Sequence, residues 1–208
     1  MIGISPGRIR RRPAEAEREI LDAAEALLRE GGFPRLTPAA VMMRTGLSRP
    51  SFYVYFRDVP DLLRRMLERI EGELFAAARL WLIPEEDPIG DARRSMEGIV
   101  EVYVRHGPVL RAVSDAAGSD PVVESLFRWG IVEHFVDAIF QRVEQEDARE
   151  RLLWPVSRET VRALVLMNER YLAETLGKAP PDDPVRVADT LLGIWVRAVF
   201  GPMSADAC

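Results

Sequence analysis

The chain is poor in the residues that build metal clusters and disulfides. One cysteine, Cys208, stands at the last of 208 positions, so no disulfide closes within the chain and no cysteine-based cluster forms. Two histidines, His106 and His134, offer little to a metal, and neither a metal nor a cofactor is expected. There is no uncharged apolar run of about 18 residues, the length a membrane span needs. The opening MIGISPGRIRRRP has no apolar core of a signal peptide, and a cytoplasmic location is expected. Two-residue hairpin turns and alternating strands are missing, which argues against a sheet. The sequence also lacks a Gly-rich phosphate loop, a His-Glu-x-x-His pair and a Gly-x-Ser-x-Gly setting. Its carboxylates read as solvated helix faces, so an enzyme is not expected.

Apolar residues make up 48% of the chain, enough for a small head joined to a larger body. The net charge of −5 is spread unevenly. Residues 1–56 carry nine arginines against six acids, and the rest of the chain is acidic. A basic head on an acidic body suits a protein that touches phosphates at one end.

Helical periodicity runs throughout, punctuated by Gly and Pro. A basic arm at 1–12, expected to be mobile, precedes helix one at about 13–30, which presents Ile20, Leu21, Ala24, Leu27 and Leu28 on one face and stops at Gly31-Gly32. Thr37 and Pro38 open helix two, which ends at Gly46; Ser48 is expected to cap helix three, which runs to about Phe56. Asp58 and Pro60 open helix four, with Leu62, Leu63, Met66, Leu67, Ile70 and Leu74 on its buried side. Five further helices are expected near 88–105, 108–117, 120–147, 157–176 and 184–200, with a break at His106-Gly107-Pro108. The domains are then an arm at 1–12, a head at 13–58 and a body at 59–208.

The stretch TPAAVMMRTGLSRPSFYVYF, Thr37 to Phe56, places two short helices about a turn containing Gly46. Its second helix is polar at the start and aromatic at the end, and such residues can approach base edges and phosphates. Gly46, Leu47, Ser48, Phe52, Tyr53, Tyr55 and Phe56 resemble, in register, the recognition helix of TetR/AcrR-family regulators. The resemblance implies an all-α, nine-helix TetR-like fold with a three-helix DNA-binding head. It also implies a homodimer on double-stranded operator DNA. On that reading Thr37, Arg44, Ser48, Arg49, Ser51, Tyr53 and Tyr55 are the DNA-binding residues. Arg49 and Ser51 are the candidates for base edges, and the arginines of the arm (Arg8, Arg10, Arg11, Arg12) for the minor groove or phosphates. Phe52 and Phe56 are expected to pack inward. Two departures stand out: Val59 occupies the place of a phosphate-clamping Lys, moving that contact toward Arg57 or Arg64, and Met42 replaces a small Ala.

A second segment, LVLMNERYLAETL (164–176) followed by ADTLLGIWVRAVFG (188–201), resembles the last two helices of the EthR-type branch of that family. There the Asn of Met-Asn-Glu-Arg bonds a ligand in an apolar channel lined by the Trp. The resemblance implies a ligand site of Ile99, Tyr103, Phe127, Ile131, His134, Phe135, Asn168, Glu169 and Trp195. Its ligand would be small, and apolar or amphipathic. From the residues alone, Asn168 either meets that ligand or ties two helices together. Glu169 either shares the site or pairs with Arg170 or another Arg. His134 is read as a core histidine or a polar pocket group. Helix 184–200, apolar nearly all round, is expected to be covered on a second side by a partner subunit, together with helix 157–176. The rival reading is a helical small-molecule-binding or interaction protein that has lost DNA binding.

Overall fold

The computed structural model describes residues 12–83 and 87–201. They contain helices and no strand. They divide into two compact units, within 1–62 and 63–208, so the first turn of the fourth helix goes with the head.

In the first unit α1 (Pro13–Gly31) buries the expected face of Ile20, Leu21, Ala24, Leu27 and Leu28. It ends at Gly32, whose φ of 70° needs no Cβ and whose N–H reaches the Leu28 carbonyl at 3.0 Å. Thr37 caps α2 (Pro38–Met43), its Oγ1 accepting the Ala40 N–H at 3.2 Å. Helix three differs from expectation. A single 3₁₀ turn, Arg49–Ser51, leads into a short α3 (Phe52–Tyr55). Ser48 precedes it with extended backbone, but its hydroxyl pairs with the Ser51 hydroxyl at 2.8 Å and caps no N–H. Pro50 at the second position has no N–H to be capped, which favours the side-chain pairing. Asp58 accepts the Asp61 N–H at 2.8 Å, and Asp61 in turn accepts the Arg57 N–H at 3.0 Å, fixing the start of α4 (Val59–Leu82).

The second unit contains the remainder of α4, then α5 (Pro88–Ala117), α6 (Pro121–Phe127), α7 (Glu133–Asp147), α8 (Arg158–Leu176) and α9 (Pro184–Phe200). Two helix expectations need correction. The break at 106–108 is absent: α5 runs through Pro108 as one helix of 30 residues. Pro108 removes one backbone bond, to the carbonyl of Val104. Val104 is exposed, where water can take that bond, while Val109, Leu110 and Val113 beyond it are fully buried. Gly107 is required here for packing, because a Cβ would lie 2.7 Å from the Leu176 carbonyl oxygen of α8. The helix expected over 120–147 is interrupted by a π turn, Arg128–Val132, between α6 and α7. Counting that rod as one gives eight helices among the described residues against the nine expected.

The core of this unit is apolar with buried ion pairs at its edges. Phe75 of α4 stacks on Phe135 of α7 at 4.3 Å, and Trp81 meets Phe200 of α9 edge-on at 5.8 Å. Glu133 of α7 is buried against Arg158 and Arg162 of α8, at 3.2 and 2.9 Å.

Candidate functional site

In the head, the recognition segment is anchored by its aromatic residues. Phe52 and Phe56 are fully buried, as expected, with ring centroids 5.7 Å apart. Tyr53 packs its edge on Phe52 at 5.3 Å yet keeps 61% of its surface exposed. Arg49 and Ser48 are exposed, Ser51 and Tyr55 half-buried. The turn before this segment is braced from α1, where Glu19 accepts the Gly46 N–H at 2.7 Å. Periodicity alone gave no sign of that contact.

Arg44 is engaged within the head. It grips Glu30 in a two-pronged ion pair, one arm at 2.7 Å and the other shorter. The hydrogen bond from Arg44 lowers the Glu30 carboxyl below its ordinary range and raises Arg44 in return. Thr37 is exposed and spends its hydroxyl oxygen on capping α2. Met42, the larger residue in place of Ala, is accommodated in the core at 3% exposure. Val59 is half-buried, and the nearby Arg57 side chain is 83% exposed, 3.7 Å from Asp61. Arg8, Arg10 and Arg11 lie outside the described residues, as does Cys208.

In the body, two adjoining chambers lie among α4, α5, α7, α8 and α9. The outer chamber, toward the C-terminal ends of α4 and α9, has about 530 Å³ of atom-free space, is partly open to solvent like its neighbour, and is walled by Trp81, Met96, Leu192 and Phe200 among others. The inner one has about 470 Å³ by the same measure and is walled by Leu74, Tyr103, Ile131, Glu169 and Leu172 among others. Ile99, Phe135, Ile139, Asn168 and Trp195 border both. Of the nine residues expected at the ligand site, seven therefore meet at these chambers.

Phe127 and His134 do not. Phe127 is buried but borders neither chamber, and His134 is exposed, its Nδ1 2.6 Å from Glu71 of α4. The reading of His134 as a core or pocket group is corrected to a surface residue that hydrogen-bonds Glu71. The π turn is the physical reason. It inserts one extra residue, rotating α7 by about 100° against an uninterrupted α-helix. A stripe counted from Phe127 at helical spacing therefore does not stay on one face.

Asn168 is committed in part. Trp195 donates its indole N–H to Asn168 Oδ1 at 2.9 Å, which ties α8 to α9. Because an indole nitrogen only donates, the amide oxygen must face it, and the amide NH₂ is the donor that remains. Glu169 does not pair with Arg170, which instead meets Asp115 at 3.1 Å and Glu174 at 2.5 Å. Burial raises the Glu169 carboxyl above its ordinary range, opposed by a hydrogen bond with Ser114. Burial, with the Glu169 charge adding, also pushes the Tyr103 phenol up. Among the described residues no group of side chains suits a metal ion, and no helix is long and apolar enough to cross a membrane.

Comparison with known proteins agrees with this division. Residues 20–66 match the family model for bacterial regulatory proteins of the tetR family, and residues 92–201 match the model for the C-terminal domain of transcriptional regulator EthR. The HTH-type transcriptional regulator EthR of Mycobacterium tuberculosis is 31% identical over 205 residues, covering 94% of this chain and 93% of the relative. The EthR of Mycolicibacterium smegmatis is 27% identical over 207 residues, covering 95% and 93%. A TetR-family regulator from Syntrophomonas wolfei superposes with a TM-score of 0.79 at 14% identity, covering 94% of this chain and all of that one. FadR from Bacillus subtilis, solved in complex with stearoyl-CoA, superposes at 0.74 and 11% identity, covering 89% and 99%. The helix-turn-helix head and the two last helices thus place this chain in the TetR family of transcriptional regulators, in its EthR-like branch.

Proposed function

We propose that this regulator is a repressor that binds a palindromic operator as a homodimer and is released by a small, mostly apolar ligand. The observation that carries the reading is the pair of apolar chambers bordered by Asn168, in a chain whose head is a helix-turn-helix. Arg49, Ser48, Ser51, Tyr53 and Tyr55 form the DNA-facing edge of the recognition segment, with Thr37 and Arg44 at its flank. Arg57 takes the phosphate contact that Val59 cannot make. One short segment reads few base pairs, so two copies on half-sites roughly 34 Å apart, or a multiple of that, supply specificity. The pairing surface is the outer side of α8 and α9. There Leu166, Val185 and Ile194 remain exposed at 46%, 69% and 37%, although α9 buries Leu191, Trp195 and Val199 on its inner side.

The ligand lies along the chambers with an oxygen acceptor on the Asn168 NH₂. Helix α4 carries Ala78 and Trp81 in the outer chamber wall and has its first turn in the head, so a ligand that displaces α4 alters the spacing of the paired heads. It does so only as far as its affinities for the two states differ. The test is a shift assay on an operator selected from random duplexes, with and without methyl decanoate or decan-1-ol. Complex formation should weaken steeply with salt and fall when ligand is added. Operator binding unchanged at saturating ligand overturns the release mechanism, and a monomer by sedimentation on the operator overturns the dimer.

A further inference from the structure

Glu169 is a carboxylate in the wall of a mostly apolar chamber whose other polar groups are those of Tyr103, Asn168 and Trp195, and the reading of the cavity as a site for an apolar ligand leaves it without a use. One carboxylate oxygen, Oε1, has no exposed surface and no hydrogen-bond partner among the described residues. Ser114 of α5 supplies the hydrogen bond that the carboxyl does have. The neighbouring Arg170 turns to Asp115 and Glu174, so it is spent outside the chamber. Among the residues that border the inner chamber, Glu169 is the only carboxylate and no cation accompanies it. A buried acceptor left unpaired is costly, and a carboxylate in apolar surroundings more so.

We propose that the inner chamber selects ligands with a protonated amine head, which donates an N–H to Glu169 Oε1 while its apolar tail lies along Ile131, Phe135 and Leu172. The proposal rests on the reading of these chambers as a ligand site, and names the ligand class for it. An ammonium supplies both things Glu169 lacks there, a donor and an opposite charge. A neutral alcohol supplies only the donor. A carboxylate or phosphate head meets like charge. The Asn168 NH₂, one residue earlier on α8, faces the opposite need and suits an acceptor further along the same ligand. This chemistry differs from the acyl-CoA held by FadR, whose head is anionic.

The experiment is calorimetric titration of the full-length protein at pH 7 with decylamine, decan-1-ol and decanoate, in parallel with Glu169→Gln. Wild type should bind decylamine about tenfold or more tighter than decan-1-ol, with decanoate weakest. In Glu169→Gln the preference for decylamine over decan-1-ol should vanish. Leu172→Trp, which fills the inner chamber, should abolish amine binding. If decan-1-ol binds wild type as tightly as decylamine, or if either variant keeps the amine preference, the proposal is overturned and the cavity reading stands. If none of the three probes binds wild type, the cavity reading fails and this proposal fails with it.

Discussion

Replacing Arg142 by Met tests how the wall of the outer chamber is held. Arg142 is 1% exposed and Glu146, four residues on, is fully buried. The two form a close ion pair within α7. Arg142 Nε also donates to the Trp81 carbonyl at 2.8 Å, and its guanidinium lies 4.9 Å from the centre of the Trp81 ring. Met retains most of the apolar stem but leaves Glu146 without its main partner. Breaking one side of a buried pair costs about 3–5 kcal/mol. Arg149 and Arg151, each 3.3 Å from the Glu146 carboxylate, remain to share the charge, so the low end applies, about 3 kcal/mol. For a chain of this size that lowers Tm by roughly 6–12 °C.

The acid limb should respond too. Burial alone would raise Glu146, but hydrogen bonds from Arg142 and Arg151 hold it below its ordinary value. A lowered folded value gives stability that is full above the unfolded value, about 4.3, and is lost as pH falls through the folded one. Without Arg142 the folded Glu146 value rises toward the unfolded one, so the stability gap between Arg142→Met and wild type should be full above about pH 4.3 and narrow as pH falls below it. The double variant Arg142→Met with Glu146→Leu removes both charges and should recover most of the loss. The assay is thermal and urea unfolding at one fixed protein concentration, since subunit association shifts Tm. A single-variant loss under about 1 kcal/mol, or a double variant no more stable than the single, would refute this account of the wall.

Other contacts carry further expected outcomes. Glu169 has its folded value raised, chiefly by burial, so its contribution to stability is full below the unfolded value and declines as pH rises through the folded one. Glu169→Gln should gain stability relative to wild type as pH rises above the unfolded value, about 4.3, read as a urea midpoint difference that grows with pH. Gly107→Ala forces a Cβ to 2.7 Å from the Leu176 carbonyl oxygen and 3.1 Å from the Gly177 nitrogen, and should cost about 1–3 kcal/mol by the same measurement. Glu30→Gln releases Arg44 from its ion pair, so operator affinity should rise and the salt dependence steepen by about one phosphate contact in a fluorescence-anisotropy titration. Unchanged affinity and slope would place Arg44 away from the duplex.

The recognition segment was legible because its signal is local. Phe52 and Phe56 recur at helical spacing, Thr37 and Pro38 mark a helix start, and these residues act within a few positions of each other. Gly32 and the buried stripe of α1 were legible for the same reason. The bond from Glu19 to the Gly46 N–H was not, because it joins residues 27 apart and leaves no periodic trace. The π turn had no signature either. Gly130 at the centre of Arg128–Val132 is a poor helix former, but a lone Gly does not specify a π turn, and one extra residue there is enough to put His134 on the surface.

From the amino acids alone came a helical chain and a basic head with a helix-turn-helix, because propensity, caps and apolar period act within single elements. That Asn168 and Trp195 share one environment came only from the resemblance to the EthR-type branch. Three-dimensional packing alone settled that α5 passes through Pro108, that the Asn168 oxygen belongs to Trp195, that Arg44 is held by Glu30, and that Glu169, in a chamber wall, keeps an unpartnered oxygen. Each of those depends on which side chain from a distant element arrives at the contact, and the order of residues along one helix does not carry that information.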